Sequence, residues 1–359
     1  MEKRVLFFVM AMALAASLFA GGGQASGGKA PSGQAAGGQS TAVSGDDPKA
    51  LTAKLTMYTS EPEDLAQEMI ADFNKTYPNV KIELFRSGTG VVTSKIAAEL
   101  ETGKTEANIL WFADIGYIKQ LDDKGLILHY TPEGAKQIKS EYAYNNGMGH
   151  EVRLIYNVIA YNTTKVKVPP KDWTDLTGPS FRSKVGMANP NYSGGAFTAL
   201  VVHIQNSDKV GWNFYDGMKA NDVKMEQANG TLQTKVSSGE YDAVLIVDFM
   251  AMNAKRSGSP VEVVWPASGA VLVPTPVSLV NNLSPDQEKA AKAFLDHMFK
   301  QSSQELFSRQ GYIPVVPGMP LPAGSPAADQ IKTMPFDLNY YLKESSNIRN
   351  TFESKFGSN

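Results

Sequence analysis

The sequence predicts an α/β protein of two lobes, each a sheet flanked by helices, joined by two crossover strands. Three observations carry this expectation. From residue 53 onwards, strand-like and helix-like segments alternate at the spacing of a parallel, doubly wound sheet. Two long β-rich runs, at 150–161 and 271–280, bracket a middle segment with strands and helices of its own. The foldable stretch is long for one hydrophobic core and comfortable for two. The expected lobes are 53–152 together with 276–359, and 153–275.

The start of the chain reads as an export signal. Met1-Glu2-Lys3-Arg4 carries two basic residues, Val5 to Ala16 is apolar, and Ser17-Leu18-Phe19-Ala20 leads into three glycines. This is the pattern of a secretory signal peptide over 1–20, with cleavage after Ala20. The apolar run falls short of the ~20 residues that span a bilayer; an uncleaved anchor helix is the alternative. Residues 21–52 are mostly Gly, Ser, Ala and Gln, too poor in large apolar side chains to offset ordering entropy, and read as a flexible tether. Leu18-Phe19-Ala20-Gly21 has the shape of a lipid-attachment site, but the chain has no Cys. A thioether-linked lipid, disulfides and thiol chemistry are thereby excluded for this sequence. The expected location is the periplasm. A net charge of −2 offers no basic field for nucleic acid.

The elements follow in order. Lys54 to Thr59 alternates as a strand, and Ser60-Glu61-Pro62-Glu63 opens a helix whose apolar face is Leu65, Met69, Ile70 and Phe73. Val80 to Phe85 is a second strand, followed by Ser87-Gly88-Thr89-Gly90 and a helix carrying Val91, Ile96 and Leu100. Asn108 to Phe112 is a third strand and Ile115 to Leu121 a helix. After the β-rich run at 150–161 come a loop and short helix to Pro179, a strand at Val185 to Ala188, and a helix from Ala196. Further helices are expected at 211–220 and 229–238, and strands at 243–247 and 261–265. Pro285 to Lys300 is an amphipathic helix, Ser302 to Gln310 continues in helix, and a Pro-, Gly- and Ser-rich tail ends in a charged helix.

On these residues the chain resembles the periplasmic solute-binding proteins of ABC importers, in the group that includes ferric-iron-, 2-aminoethylphosphonate- and hexose-phosphate-binding proteins. The resemblance covers about 53–320. It rests on Val158-Ile159-Ala160-Tyr161-Asn162-Thr163, Trp173-Thr174-Asp175-Leu176, Asn189 to Thr198, Gly239-Glu240-Tyr241-Asp242-Ala243 and Gln310 to Val315, taken in order. It implies the two-lobed periplasmic-binding-protein fold, one solute held between lobes, docking onto an ABC permease in the inner membrane, and no catalysis. The protein is expected to act as a monomer without cofactor or bound metal.

Three strand-to-helix junctions are rich in small and hydroxyl residues: Thr59-Ser60, Ser87-Gly88-Thr89 and Ser193-Gly194-Gly195. Each places free backbone N–H groups at a helix start, where the dipole favours an anion. An ordinary capping turn is the competing reading of any one of them. Asp114 and Asp248 end strands, where a carboxylate could hold an ammonium or sugar hydroxyls, or else cap the next helix. Tyr156 could line the cleft or pack in the core. Asn229-Gly230-Thr231 reads better as a helix cap than as a contact.

Iron-carrying relatives use paired tyrosines after the strand that here ends at Asp248-Phe249. The only Tyr-Tyr pair in this chain is Tyr340-Tyr341, in the tail. Ferric ion is therefore the alternative to a small organic anion, a 2-aminoethylphosphonate-like phosphonate or a sugar phosphate. A secreted hydrolase is the alternative of a different class. The four histidines show no metal spacing, and no nucleophile elbow or Walker loop is present.

Overall fold

The computed structural model describes residues 47–357. The expected signal peptide, and residues 21–46 of the tether expected over 21–52, lie outside them. Within them, Leu51 is already buried in the core, so ordered packing begins before the first strand.

Two mixed sheets dominate, one in each lobe. In the first, Ala53–Thr59 pairs in parallel with Val80–Arg86 on one side and Ile109–Trp111 on the other. The alternation that marks Ala53–Thr59 as a strand puts Leu55 and Met57 into the core. Glu63–Asn74 buries Ala66, Met69, Ile70 and Phe73 against that sheet, the spacing of one helical face. Val277–Val280 runs antiparallel to Ile109–Trp111, and Gly149–His150 and Ala143–Tyr144 extend the sheet beyond it.

The second sheet is built on Tyr156–Asn162, a strand buried at every position. It pairs antiparallel with Ala243–Val247 and with Val261–Val264, and Ala243–Val247 pairs in parallel with Val185–Ala188. The parallel order expected from the alternation holds for Ala53–Thr59, Val80–Arg86 and Ile109–Trp111, while each sheet as a whole is mixed. The strands that enter each lobe from the other one run against their neighbours, because the chain arrives from the opposite end of the sheet. The edge strand Lys224–Glu226, parallel to Gly186–Ala188, was not foreseen. Val223-Lys224-Met225-Glu226 does alternate, but a strand of three residues is too short for that pattern to stand out.

The two long β-rich runs each break at the passage between sheets. In the first, Gly149–His150 pairs in the first sheet, Arg153–Leu154 pairs with Ile313–Pro314, and Tyr156 onwards belongs to the second sheet. In the second run, Val271–Leu272 pairs with Tyr156–Asn157 and Val277 begins the return to the first sheet.

The tail departs from expectation. The helix Leu338–Phe356, assigned by sequence to the first lobe, packs mainly on the second-lobe helix Gly194–Gln205 and touches the first-lobe helix Ile115–Asp123. Its buried residues Tyr341, Ile348 and Phe352 recur at seven- and four-residue steps, one face of a helix.

Candidate functional site: an interlobe cavity ringed by helix starts

Between the lobes lies a cavity of about 110 Å³. The first lobe contributes Ser60, Glu61, Arg86, Gly88 and Thr89, and the second contributes Ser193, Gly194, Gly195, Asn229 and Gly230. The passages between lobes supply Ile155, Val273 and Thr275 at the back.

Five helices start beside this space; Glu63–Asn74 and Asp248–Arg256 carry acidic residues in their first turns, and the other three, one from the first lobe and two from the second, do not. Thr89–Glu101 starts from Gly88 and Asn229–Ser238 from Ala228, and neither has a side-chain cap. Gly194–Gln205 starts from Ser193, whose hydroxyl accepts the Ala196 N–H at 3.3 Å. None of the three carries an acidic residue in its first turn. The first N–H groups of a helix have no intrahelical partner, and the summed dipole makes that end positive. By contrast, Glu63–Asn74 has Glu63 and Asp64 in its own first turn, which already answer its dipole. At the rim the exposed Arg86 donates through Nε to the Glu61 carbonyl at 2.9 Å.

The one carboxylate in the wall is committed elsewhere. Glu61 is buried, pairs with the fully buried Arg153, and accepts from the Tyr312 hydroxyl at 2.9 Å. Arg153 also donates to the Thr275 hydroxyl, while Thr275 donates its N–H to Glu151 at 2.8 Å and its hydroxyl at 3.2 Å. The guanidinium lies between the rings of Trp111 and Tyr312, at 5.2 and 4.8 Å from their centroids. This network joins both inter-lobe passages to the cleft wall. Burial pushes the Glu151 carboxyl up to about 7, against the pull of Arg153 and the Thr275 and Tyr144 donors.

The lobes meet beside the cavity with backbone on backbone. A Cβ on Gly90 would lie 2.6 Å from the Asn191 carbonyl oxygen, one on Gly88 3.0 Å from that of Tyr192, and one on Gly194 1.9 Å from that of Ala113. Only residues without a Cβ permit this approach, so the glycines of the junctions admit the closed arrangement of the lobes.

Of the residues singled out by sequence, Ser60, Gly88, Thr89, Ser193, Gly194 and Gly195 line this one cavity. The others do not. Thr59 is buried, its hydroxyl donating to the Trp111 carbonyl at 2.8 Å and accepting the Glu61 N–H. Ser87 sits just outside, with its N–H donated to the Thr59 carbonyl. Tyr156 is a core residue packed edge-on to Trp265. Asp248 is buried and accepts the Tyr156 N–H at 2.9 Å, and burial raises its carboxyl to about 7. Asp114 caps the helix Ile115–Asp123 by accepting the Tyr117 N–H at 3.0 Å. It faces a second cavity of about 440 Å³, on the far side of the glycine contacts and walled by the tail helix. Both strand-end carboxylates are spent on backbone donors: Asp114 as the cap of the next helix, Asp248 on a donor remote in the chain.

Sequence reasoning missed Arg86, Glu61 and Thr275. Arg86 stands two residues before Gly88, and its position ahead of a helix start was the available signal. Glu61 and Thr275 gave none, since their partners are remote in the chain. Asn229 and Gly230, read as a cap, do line the cavity.

With this geometry in hand, comparison with known proteins decides the family. Residues 106–340 match the profile of the bacterial extracellular solute-binding protein family. The chain belongs to that family. This solute-binding protein is 25% identical over 305 residues to a Sinorhizobium fredii protein named an ABC transporter periplasmic-binding protein, covering 80% of this chain and 82% of that one. It is 23% identical over 259 residues to a Salmonella paratyphi A protein named for binding 2-aminoethylphosphonate, covering 70% and 72%. Its fold matches the periplasmic binding protein AfuA of Actinobacillus pleuropneumoniae, solved with fructose-6-phosphate, at a TM-score of 0.76 and 20% identity, covering 85% of this chain and 99% of that one. Members of the family that serve ABC importers bind small ligands and work with membrane permease components, and the named relatives are periplasmic.

Proposed function

We propose that this protein captures a small organic oxyanion in the interlobe cavity and delivers it to an ABC permease in the inner membrane, without transforming it. A 2-aminoethylphosphonate-like phosphonate is the first choice and a sugar phosphate the second. One observation carries this reading: three helix starts free of acidic residues, two of them uncapped, converge on one cavity from both lobes. In this reading the backbone N–H groups of Thr89, Gly195 and Gly230 donate to the oxyanion, with the hydroxyls of Ser60, Thr89 and Ser193 beside them. Arg86 adds a charge at the rim.

Ferric ion fits the wall less well. Hard ferric ion wants phenolate and carboxylate oxygens. The cavity offers Tyr192 and Glu61, and Glu61 is held by Arg153 and Tyr312. The names of similar proteins do not choose the ligand, since they include 2-aminoethylphosphonate- and sulfate-binding proteins and also ferric-ion-binding ones. The protein is taken to act as a monomer in the periplasm.

Isothermal titration calorimetry with 2-aminoethylphosphonate and hexose phosphates tests the reading. Binding is expected, and Ser193→Asp abolishes it by placing a carboxylate where the oxyanion sits. Tight binding of ferric ion with a phenolate charge-transfer band, and none of the anions, overturns it. Turnover of a phosphonate or phosphate ester by the pure protein overturns the non-catalytic role.

A further inference from the structure

The tail helix is carried by the second lobe. Arg349 stacks over the Phe197 ring at 3.8 Å and donates to the Pro190 carbonyl at 3.3 Å. Lys355 pairs with Asp216 at 2.7 Å, and Phe352 packs edge-on to Tyr215. The approach to the helix is tied down as well: Asn206 donates to the Pro335 carbonyl at 3.0 Å, and Met334 donates its N–H to the Ala270 carbonyl at 2.9 Å. Every one of these partners belongs to the second lobe.

Tyr341 reaches across. It is 1% exposed, its ring lies 5.9 Å from that of Phe197 in the second lobe, and its hydroxyl donates to Asp114 of the first lobe at 3.4 Å. The ring lies against Gly116, where a Cβ would come within 2.8 Å of its Cε1 and 3.3 Å of its Cδ1. The first lobe thus offers a glycine floor and a carboxylate to a side chain borne by the second.

We propose that Tyr341 is an affinity-determining residue that never touches the solute: seated on Gly116 and bonded to Asp114, it latches the lobes shut. The latch exists only when the lobes are closed, because Gly116 and Asp114 move with the first lobe and the tail helix with the second. It therefore favours the closed form before any ligand arrives. A ligand that binds the closed form gains in apparent affinity by the fraction of protein already closed. The seat also explains why Asp114 is not in the ligand cavity.

Small-angle scattering of the ligand-free protein tests the latch without reference to any solute. Tyr341→Ala and Gly116→Ala are each expected to raise the radius of gyration, and the double variant to raise it no further, because both remove the same contact. Tyr341→Phe, which keeps the ring and deletes the hydroxyl, is expected to fall between wild type and Tyr341→Ala. With 2-aminoethylphosphonate as probe, each single variant is expected to raise the Kd about tenfold. An unchanged radius of gyration in both single variants, or additive effects in the double, overturns the latch. A protein that fails to bind this phosphonate overturns the ligand reading above and leaves the scattering comparison to decide the latch.

Discussion

The Cα of Gly194 faces the carbonyl of Ala113 so closely that a Cβ there would stand 1.9 Å from the oxygen. The two residues belong to different lobes, and Gly194 also opens the helix Gly194–Gln205 at the cavity wall. Closure and ligand capture thus share one residue.

Gly194→Ala should hold the lobes apart. The Ala113 side of the clash is backbone and cannot rotate away, so the closed form is lost while each lobe folds as before. Scattering should show an enlarged radius of gyration for the variant, and titration a loss of at least about a hundredfold in phosphonate affinity. Affinity within threefold of wild type would show that the lobes need not come this close.

Arg86→Ala should weaken binding without weakening the fold. Arg86 is exposed at the rim, so thermal melting should be unchanged. Affinity for a phosphonate should fall about tenfold, and its dependence on salt should diminish, because a rim charge acts at long range. Calorimetry at two ionic strengths measures both.

Arg153→Met should be costly. It strands Glu61 in a buried site with its charge uncompensated, a loss of about 3–5 kcal/mol in urea unfolding. Adding Glu61→Gln should recover part of that loss, since it removes the stranded charge. Equal stability of the single and double variants would show that the pair is not coupled.

The Glu151 carboxyl should make stability fall as pH rises. In the folded protein burial lifts it to about 7, whereas in the unfolded chain it titrates near its ordinary value of 4.5. Between these limits the folded state holds the extra proton, so each step up in pH favours unfolding, and the effect levels off above about 7. The buried histidines act in the opposite sense: burial depresses His150 to about 4 and His203 to about 3, so falling pH favours unfolding through them. The Glu151 contribution is isolated by comparison with Glu151→Gln. The stability of wild type relative to this variant should decline from pH 4.5 to 7 and stay flat beyond; a flat difference throughout would place the Glu151 carboxyl outside that range.

The alternation of Ala53–Thr59, the helical face of Met69, Ile70 and Phe73, and the buried run of Tyr156–Asn162 were all legible, because each is set by the spacing of neighbours along the chain. The edge strand Lys224–Glu226 was not, since three residues are too few for its alternation to stand out. At the site, Ser60, Gly88, Thr89, Ser193, Gly194 and Gly195 could be picked out by junction composition. Asp114 and Asp248, picked out as strand-end carboxylates, and Tyr156, picked out as an aromatic, were drawn off by a helix cap, a remote backbone donor and core packing respectively.

By itself the sequence determined an α/β chain with alternating elements, small hydroxyl-rich junctions and no cysteine. Those properties follow from residue type and short-range period. Only the tertiary structure decided which junctions share a cavity, that Glu61 is tied to Arg153 across 92 residues, and that Tyr341 of the tail rests on Gly116. Such pairings are made by lobe packing, where segments far apart in the chain compete for the same donors, and no local pattern records which of them wins.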